Sequence, residues 1–240
     1  MSRRNRQPAP FDAILLVDKP AEWTSHDVVA KIRGHFRLNK VGHGGTLDPM
    51  ATGLLVLLIG RATKCSAAIM GGDKTYSGTI QLGRTTSTQD IEGETLNESD
   101  PSAITEEQLK RALPALTGEI QQLPPMVSAI KKDGVALYKL ARKGIEIERE
   151  TRTVHIHRFE ITHFKNPYAN VLIECSKGTY VRTLAHDLGS ALGCGGCLSA
   201  LRRDASGPLH INQAHTLDDI LTETRETLVE RTLNPAELLP

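Results

Sequence analysis

The stretch VGHGGTLDPMATG, residues Val41–Gly53, is the most informative part of this 240-residue sequence. It contains four glycines, one histidine, one proline and a single carboxylate, Asp48, and it leads directly into the apolar run LLVLLIG. Glycine permits positive φ angles and the close approach of a ligand, whereas Pro49 has a fixed φ and keeps Asp48 out of the helical region. The pattern therefore predicts a stiff loop that presents Asp48 just before a buried segment.

A carboxylate in such a loop can act as a nucleophile, a general base or a metal ligand. A metal site lacks a second acid nearby in the sequence, and neither GHGGT nor GRATK matches a glycine-rich phosphate-binding motif. An acid inside a phosphate-binding loop would also repel its ligand. On local pattern alone, a structural Asp48 that caps the following segment is as good an interpretation as a catalytic one.

The bulk composition is that of an ordinary globular protein, with 39% hydrophobic, 24% charged and 4% aromatic residues and a net charge of +1. Basic residues are in excess over residues 1–75 and 121–165, and acidic residues over 76–120 and 215–240. This distribution suits a polyanionic partner, and solvated surface charge explains it equally well. Since no apolar run is long enough for a signal peptide or a spanning helix, we expect a soluble, cytoplasmic protein without membrane association.

The four cysteines do not form a recognisable metal motif. The CGGC segment at 194–197 has the spacing of half a zinc site, but no second Cys-x-x-Cys or histidine pair stands at a matching distance. We therefore expect reduced, partly buried thiols and no metal. His155 and His157 alternate on a predicted strand, which is typical of one polar face.

Hydrophobic periodicity predicts strands and helices that do not alternate regularly along the chain. The polar segment 84–102 predicts an exposed loop. The predicted strands are 13–17, 74–83, 153–164 and 170–178, and the predicted helices are 24–36 with Thr24 or Ser25 as N-cap, 62–72, 105–116, 179–193 and 216–230. Several neighbouring strands are separated only by short loops, which favours an α+β fold with a mixed or antiparallel sheet.

The segment GHGGTLDPMATGLL closely resembles the motif of TruB-type tRNA pseudouridine synthases, bacterial type, roughly Gly-His-x-Gly-Thr-Leu-Asp-Pro-x-Ala-Thr-Gly. Other blocks are similar to the family in the family's order: LLVDKP (15–20), KTY (74–76), PPMVSAIKKDGVALYKLARKG (124–144), CSKGTYVRTLAHDLG (175–189) and LRR (201–203). The resemblance extends from about Ile14 to about Leu239. One departure is Gly44, which stands where the family often has threonine and is expected to loosen the loop slightly.

The resemblance implies a pseudouridine synthase catalytic fold, α+β, with a central mixed or mainly antiparallel sheet flanked by helices. It implies a basic N-terminal tail over residues 1–12 and a catalytic domain over 13–240. An inserted RNA-clamping arm is expected at about 123–152, and a small C-terminal RNA-binding domain is expected to be absent. The implied activity is isomerisation of uridine to pseudouridine at position 55 in the T loop of tRNA, without cofactor or metal, by a monomer whose partner is the T-arm stem-loop.

The resemblance also assigns the site residues. Asp48 takes the position of the catalytic aspartate, Arg182 that of its paired cation, and Tyr76 that of the tyrosine beside the flipped base. Substrate binding is assigned to His43, Tyr180 and Leu201 around the base, to Lys19, whose main role would be to support the loop, and to the arm residues Lys131, Lys132, Lys139, Arg142 and Lys143. Without the resemblance, Tyr76 would be a packing residue and Arg182 a surface arginine.

Two other functions stay open at this level. One is a non-catalytic RNA-binding or RNA-folding protein that keeps the fold, although the retained Asp48, Tyr76 and Arg182 argue against it. The other is the catalytic subunit of a guide-RNA particle that modifies ribosomal RNA, which would need partner proteins and a C-terminal RNA-binding domain.

Overall fold

Alternating and continuously apolar segments of the sequence form strands, and segments with one apolar face form helices. The structure, a computed structural model, describes residues 11–128, 131–132, 135–136, 145 and 147–237. Within these residues the strands are Ala13–Lys19 (β1), Val41–His43 (β2), Thr52–Ile59 (β3), Lys74–Leu82 (β4), Arg84–Thr86 (β5), Thr95–Glu98 (β6), Gly118–Gln122 (β7), Lys131–Lys132 (β8), Val135–Ala136 (β9), Arg152–Lys165 (β10), Tyr168–Cys175 (β11), Gly196–Ser206 (β12), Leu209–His210 (β13), His215–Thr216 (β14) and Thr232–Leu233 (β15). The α-helices are Ser25–His35 (α1), Ser66–Gly71 (α2), Glu106–Ala112 (α3), Val181–Ala191 (α4) and Leu217–Thr222 (α5).

The chain divides into two compact units. The first unit comprises Met1–Lys74 with Arg202–Pro240, and the second comprises Thr75–Leu201. Strand β12 contributes its first part to the second unit and its last part to the first.

The first unit contains a mixed sheet in the order β14-β1-β3-β12. Strand β1 runs antiparallel to β3 from Ala13↔Ile59 to Lys19↔Gly53, and parallel to β14. Strand β3 runs parallel to β12, with Arg202 opposite Thr52. Because β3 is buried on both faces, its sequence is apolar at nearly every position.

Helix α1 begins as the sequence predicts. Thr24 is its N-cap, and the Thr24 hydroxyl accepts a hydrogen bond from the Asp27 amide at 3.0 Å while the Asp27 carboxylate accepts one from the Thr24 amide at 3.1 Å. This reciprocal capping box satisfies two amides that the first turn leaves unpaired. Val28, Val29 and Ile32 are buried, as the periodicity predicts.

The second unit contains the sheet order β12-β4-β11-β10-β7. Strands β10 and β11 form the predicted antiparallel pair, from Ile156↔Cys175 to Lys165↔Tyr168, and the connecting loop is shorter than predicted. Helix α3 lies within the predicted helix 105–116 and begins with a capping box that joins Thr105 and Gln108. The sheets of both units and their flanking helices confirm the predicted α+β class.

The prediction of an exposed loop at 84–102 is wrong. Strands β5 and β6 form an antiparallel hairpin here, and Thr86 and Asp90 are each only 3% exposed. The Thr86 hydroxyl donates to the Asp90 carbonyl oxygen at 2.6 Å, which satisfies one of the buried polar groups. Since buried positions of this segment, such as Thr86 and Asp90, are themselves polar, hydrophobicity could not reveal them.

The predicted last helix, 216–230, is also wrong in extent. Helix α5 ends at Thr222, Glu223 is extended, and a 3₁₀ helix follows at Thr227–Arg231. The Thr224 and Thr227 hydroxyls accept hydrogen bonds from each other's amides at 3.3 and 3.0 Å. Such local side-chain bonds compete with the helix and interrupt it.

The predicted arm, residues 123–152, is described only in part. Strands β8 and β9 pair as a short hairpin, and Arg149 Nη1 donates to the Pro124 carbonyl at 3.0 Å, which links the two ends of the segment. Lys139, Arg142 and Lys143 lie outside the described residues, and the side chains of Lys131 and Lys132 do as well. Across the part of the chain that is described, no helix is long and apolar enough to cross a membrane.

Gly44 is packed rather than loose. The residue is buried, and a Cβ added to it would lie 2.5 Å from Ile69 Cγ2 and 3.2 Å from Ile69 Cβ. Glycine at this position therefore leaves the space that the Ile69 side chain occupies, and the expected loosening of the loop does not follow.

We expect Gly44→Ala to lower the free energy of unfolding by about 1–3 kcal/mol through overpacking. Ile69→Ala should cost about 2 kcal/mol or more through the cavity it leaves. Since the new methyl group fills part of that cavity, the double variant should cost at least about 1 kcal/mol less than the sum. Urea unfolding of the four proteins measures this coupling, and strictly additive effects would refute the packing argument.

Candidate active site

The Asp48 loop, residues 44–51, connects β2 to β3 in the first unit. It begins where the hairpin of these strands ends, with the Gly44 amide donating to the Val56 carbonyl at 2.8 Å. The Ala51 amide then donates to the Asp48 carbonyl at 3.1 Å, which forms a turn around Pro49. Asp48 itself is half-buried at the entrance to β3. The predicted loop before a buried segment is therefore confirmed, and that segment is strand β3.

Lys19 lies at the end of β1 and is fully buried. Its ammonium donates to the carbonyl oxygen of Pro49 at 3.2 Å. It also donates to the carbonyl oxygens of Pro20 at 2.8 Å and Trp23 at 2.6 Å. The buried Lys19 ammonium therefore supports the Asp48 loop, and its contact with substrate stays a prediction.

Two more buried side chains bond the main chain of the Asp48 loop. Ser25, at the start of α1, accepts from the Leu47 amide at 2.8 Å and donates to the Leu47 carbonyl at 3.2 Å. Arg203, on β12, donates to the carbonyl oxygens of Gly45 at 3.1 Å and Thr46 at 3.3 Å. Side chains from β1, α1 and β12 thus fix the residues on both sides of Asp48.

His43 ends β2 and lies just before the Asp48 loop. Its Nδ1 accepts a hydrogen bond from the Gly45 amide at 3.4 Å, which requires an unprotonated Nδ1. Burial lowers the pKa of His43, and the positive charges of Arg203 and His26 lower this pKa further. The side chain is therefore a neutral imidazole at pH 7, well suited to contact a base rather than a phosphate.

Arg182, the second residue of α4, is buried in the second unit with 3% of its side chain exposed. Its Nη1 donates to Asp90 Oδ2 at 3.3 Å and to the Thr88 carbonyl at 3.0 Å, and its Nη2 donates to the Val127 carbonyl at 2.9 Å. The Asp90 carboxylate also accepts from the Thr88 hydroxyl at 2.5 Å. Arg182 is therefore no surface arginine, and it connects the β5–β6 hairpin to the start of the arm.

Tyr180 is the N-cap of α4 and is held by a second buried polar residue. Gln122, only 1% exposed, accepts from the Tyr180 amide at 2.7 Å and donates to the Tyr180 carbonyl at 3.1 Å. The Arg152 guanidinium lies over the Tyr180 ring, 5.8 Å from its centroid. The main chain of Tyr180 is thus held by Gln122, and a cation lies over one face of its ring. The resemblance predicts that this ring contacts the uracil.

Tyr76 and Leu201 lie on the neighbouring strands β4 and β12 of the second unit. Tyr76 is half-buried, and Leu201 is 8% exposed. A Cβ added to Gly78, two residues after Tyr76 on the same face, would lie 3.4 Å from Leu201 Cδ1 and 2.8 Å from the Ala200 carbonyl. Glycine at residue 78 therefore lets the β12 main chain and Leu201 pack closely against β4.

The cysteines behave as structural thiols. Cys175, Cys194 and Cys197 are buried, Cys65 is half-buried, and all four are free. Burial raises the pKa of Cys197, which keeps this thiol protonated and unreactive. Over the described part of the chain, no group of three or more His, Cys, Asp or Glu side chains could hold a metal ion.

Sequence reasoning missed Ser25, Asp90, Gln122 and Arg203. The missed residues share one property: each is a buried polar side chain whose hydrogen bonds go largely to the main chain or to Arg182. Single-sequence patterns contain no signal for such burial. The nearest hint is LRR, because two arginines in a row on a strand must point to opposite faces.

Family models match nearly the whole chain. The model described as TruB family pseudouridylate synthase (N terminal domain) matches residues 33–181. The model described as tRNA pseudouridylate synthase B C-terminal domain matches residues 182–239. The chain belongs to the TruB family of pseudouridylate synthases.

Named relatives are similar over most of their length. The tRNA pseudouridine synthase B of Opitutus terrae is 52% identical over 210 residues, covering 88% of this chain and 87% of that protein. The protein of the same name from Bordetella avium is 43% identical over 244 residues, covering 100% of this chain and 99% of that protein.

Solved structures with the same fold are more distant. The crystal structure of a Cbf5-Nop10-Gar1 complex has a TM-score of 0.74 and 28% identity, covering 94% of this chain and 61% of that chain. The structure of an H/ACA RNP bound to a substrate RNA containing 2'-deoxyuridine has a TM-score of 0.67 and 25% identity, covering 94% of this chain and 57% of that chain. These likenesses agree with the predicted fold.

We expect Asp90→Ala to lower the free energy of unfolding by about 3 kcal/mol, because it removes the acid of a buried ion pair and leaves Arg182 less compensated. Glu160→Ala, which removes the acid of the exposed pair with Arg158, is the matched control and should have no measurable effect. Denaturant unfolding measures both. Equal losses of unfolding free energy in the two variants would mean that the buried ion pair stabilises the protein no more than the exposed pair does.

The lowered pKa of His43 predicts a pH dependence of stability. The ordinary pKa of histidine is 6.5. Below this pH the His43 side chain is protonated in the unfolded chain, whereas it stays neutral in the folded protein until the pH reaches its lower pKa. Stability contributed by neutral His43 is therefore present above pH 6.5 and is lost as the pH falls towards the lower folded pKa. Between pH 7 and pH 5, His43→Gln should lose less stability than the wild type in urea unfolding, and parallel losses would contradict this.

Proposed function

We propose that this chain isomerises uridine to pseudouridine at position 55 in the T loop of tRNA, with Asp48 as the nucleophile. Membership of the TruB family and relatives named tRNA pseudouridine synthase B, 42–52% identical, support the reaction and the tRNA substrate. The observation that carries the role of Asp48 is the loop around it, which buried side chains bond at the residues on both sides. Nucleophilic groups need such a fixed position.

The reaction exchanges one bond to the ribose for another. The bond between C1′ and N1 breaks, the uracil turns while bound, and the bond between C1′ and C5 forms. The hydrogen of C5 leaves as a proton and N1 takes up a proton, so the product is an isomer of the substrate. No electrons are gained or lost, so the proposal needs no redox partner. The Asp48 carboxylate can attack C6 of the uracil or C1′ of the ribose, and both routes stay open.

The remaining site residues are proposed to act on the flipped nucleotide. The uridine must leave its stack before its C1′ and C5 become accessible. We propose that Tyr76 lies against the base and takes the C5 proton, and that Tyr180 and Leu201 contact the uracil. Neutral His43 would stack in the opened loop of the RNA. Arg182 is proposed as the cation of the catalytic set.

The arm is proposed to contact the backbone of the T arm. Its candidate residues are Lys131, Lys132, Lys139, Arg142 and Lys143. Contacts of lysine and arginine with phosphates set affinity and its salt dependence rather than sequence choice. We propose that the protein recognises the shape and exposed loop bases of the T-arm stem-loop, and that it acts as a monomer in the cytoplasm without cofactor or metal.

A second candidate is the catalytic subunit of a guide-RNA particle. The likeness to the Cbf5-Nop10-Gar1 complex, with a TM-score of 0.74, favours it. The identity to that chain is 28%, against 52% to the synthase of Opitutus terrae. The stand-alone tRNA enzyme is therefore the better-supported function, and a non-catalytic RNA-binding protein is the weaker third.

The proposed function is tested by tritium release from a T-arm stem-loop that carries the label at C5 of the position-55 uridine only. Wild-type protein should release the label, and Asp48→Asn should be at least about a thousandfold slower, because an amide is a poor nucleophile. Asp218→Asn, at an exposed acid on α5, is the control and should match the wild type. A stem-loop labelled at another uridine should release nothing.

Other outcomes would point elsewhere. Release by Asp48→Asn at the wild-type rate would refute the nucleophile. Release that starts only after partner proteins and a guide RNA are added would favour the guide-RNA particle. No release in any condition, together with salt-dependent binding of the stem-loop, would favour the RNA-binding protein.

A further inference from the structure

Arg203 is a buried cation whose hydrogen bonds go to main-chain carbonyls. It is 2% exposed. Its Nε donates to the Leu54 carbonyl at 2.7 Å, and its two terminal nitrogens donate to the Gly45 and Thr46 carbonyls. Burying a guanidinium is costly unless its donors are satisfied, and here the backbone satisfies them.

The positions of these carbonyls are informative. Gly45 and Thr46 precede Asp48, and Leu54 follows it as part of β3. The Arg203 guanidinium therefore joins the residues before Asp48 to the strand after it. Gly45 and Thr46 belong to no strand, so no strand ladder joins them to Leu54.

Two glycines bring the loop close to Arg203. A Cβ on Gly45, which has φ +139°, would lie 3.5 Å from Arg203 Nη1. Gly53, which has φ +96° and stands opposite Arg203 in the parallel β3–β12 pair, would place a Cβ 2.8 Å from the Arg203 amide nitrogen. Gly53 thus permits the close approach of β3 to the Arg203 main chain, and the positive φ angles favour glycine at both positions.

We propose that Arg203 is a positioning residue for Asp48: its guanidinium fork fixes the chain on both sides of Asp48 and so sets the direction of the carboxylate. This inference rests on the proposed role of Asp48 as nucleophile. The fork geometry matters because a guanidinium presents several donors in one rigid plane, whereas the ammonium of lysine is a single point on a flexible stem. Ser25, which bonds both main-chain groups of Leu47, supports the same loop from α1.

The test compares Arg203→Lys with Arg202→Lys. Arg202 is the adjacent residue on the opposite face of β12, where it bonds Asp18 at 3.1 and 2.7 Å and is partly exposed. Both changes keep the positive charge and remove the fork. With folded enzyme in excess over the labelled stem-loop and at a concentration well above Kd, the single-turnover rate constant does not depend on the fraction of folded protein. The Kd for the RNA is measured separately.

We expect Arg203→Lys to lower the single-turnover rate constant by about tenfold to a hundredfold, since displacements of about 1 Å at a reacting group cost that much. The Kd for the RNA should change by less than about threefold, because the proposal concerns the orientation of the carboxylate and not affinity. Arg202→Lys should change neither quantity by more than about twofold. A residue with a merely structural role would lower the melting temperature and leave the rate constant of the folded protein unchanged.

Ser25→Ala provides a second variant that removes one oxygen and little volume. It should lower the rate constant by about threefold to tenfold with Kd again nearly unchanged. Its effect combined with Arg203→Lys should be less than multiplicative, because both residues fix the same loop. If Arg203→Lys does not fold, Ser25→Ala alone decides whether fixation of the loop limits the rate.

The proposal is overturned if the folded Arg203→Lys and Ser25→Ala proteins keep the wild-type rate constant. It is also overturned if the loss appears in Kd alone, which would make Arg203 a binding residue, or if Arg202→Lys loses as much rate. Asp48→Asn is measured in the same series. An inactive Asp48→Asn with a fully active Arg203→Lys refutes only this inference, whereas an active Asp48→Asn refutes the proposed function.

Discussion

The first unit depends on one constraint: the buried carbonyl groups of the Asp48 loop must find hydrogen-bond donors. A strand or helix supplies such partners from its own ladder, and an irregular loop does not. Here the donors are the side chains of Lys19, Ser25 and Arg203, which come from β1, α1 and β12. The loop is consequently rigid without being regular, and the elements that carry the three donors are tied to it. The mixed sheet therefore holds the loop that carries the Asp48 carboxylate.

The second unit uses the same physical solution. Arg182 is buried with Asp90 and donates to the carbonyl oxygens of Thr88 and Val127, which belong to two irregular segments. Gln122 bonds both main-chain groups of Tyr180. In a low dielectric environment each of these bonds is strong, and each would leave a costly unpaired group if its partner were lost. Long polar side chains therefore order the segments that carry the proposed chemistry in both units.

Elements with a strong periodic pattern could be predicted from the sequence. The apolar strand β1, the capped helices α1 and α3, and the β10–β11 pair all lie where their patterns indicated. The Asp48 loop was also recognised, since glycine and proline act through the local backbone. The hairpin at 84–102 and the end of α5 could not be predicted in the same way. Both depend on polar side chains that bond nearby main chain, and hydrophobicity does not report such bonds.

The adjacent residues Arg202 and Arg203 mark the boundary between what the sequence determined and what the tertiary structure decided. The sequence alone determined that a glycine-rich loop presents Asp48 just before a buried apolar segment, and that two arginines are adjacent at 202 and 203. Only the pairing of β12 with β3 decided which arginine lies inside: Arg202 bonds Asp18 near the surface, and Arg203 is buried against the loop. Strand register comes from contacts between residues about 150 positions apart. No local pattern can encode a choice that is made by such distant partners.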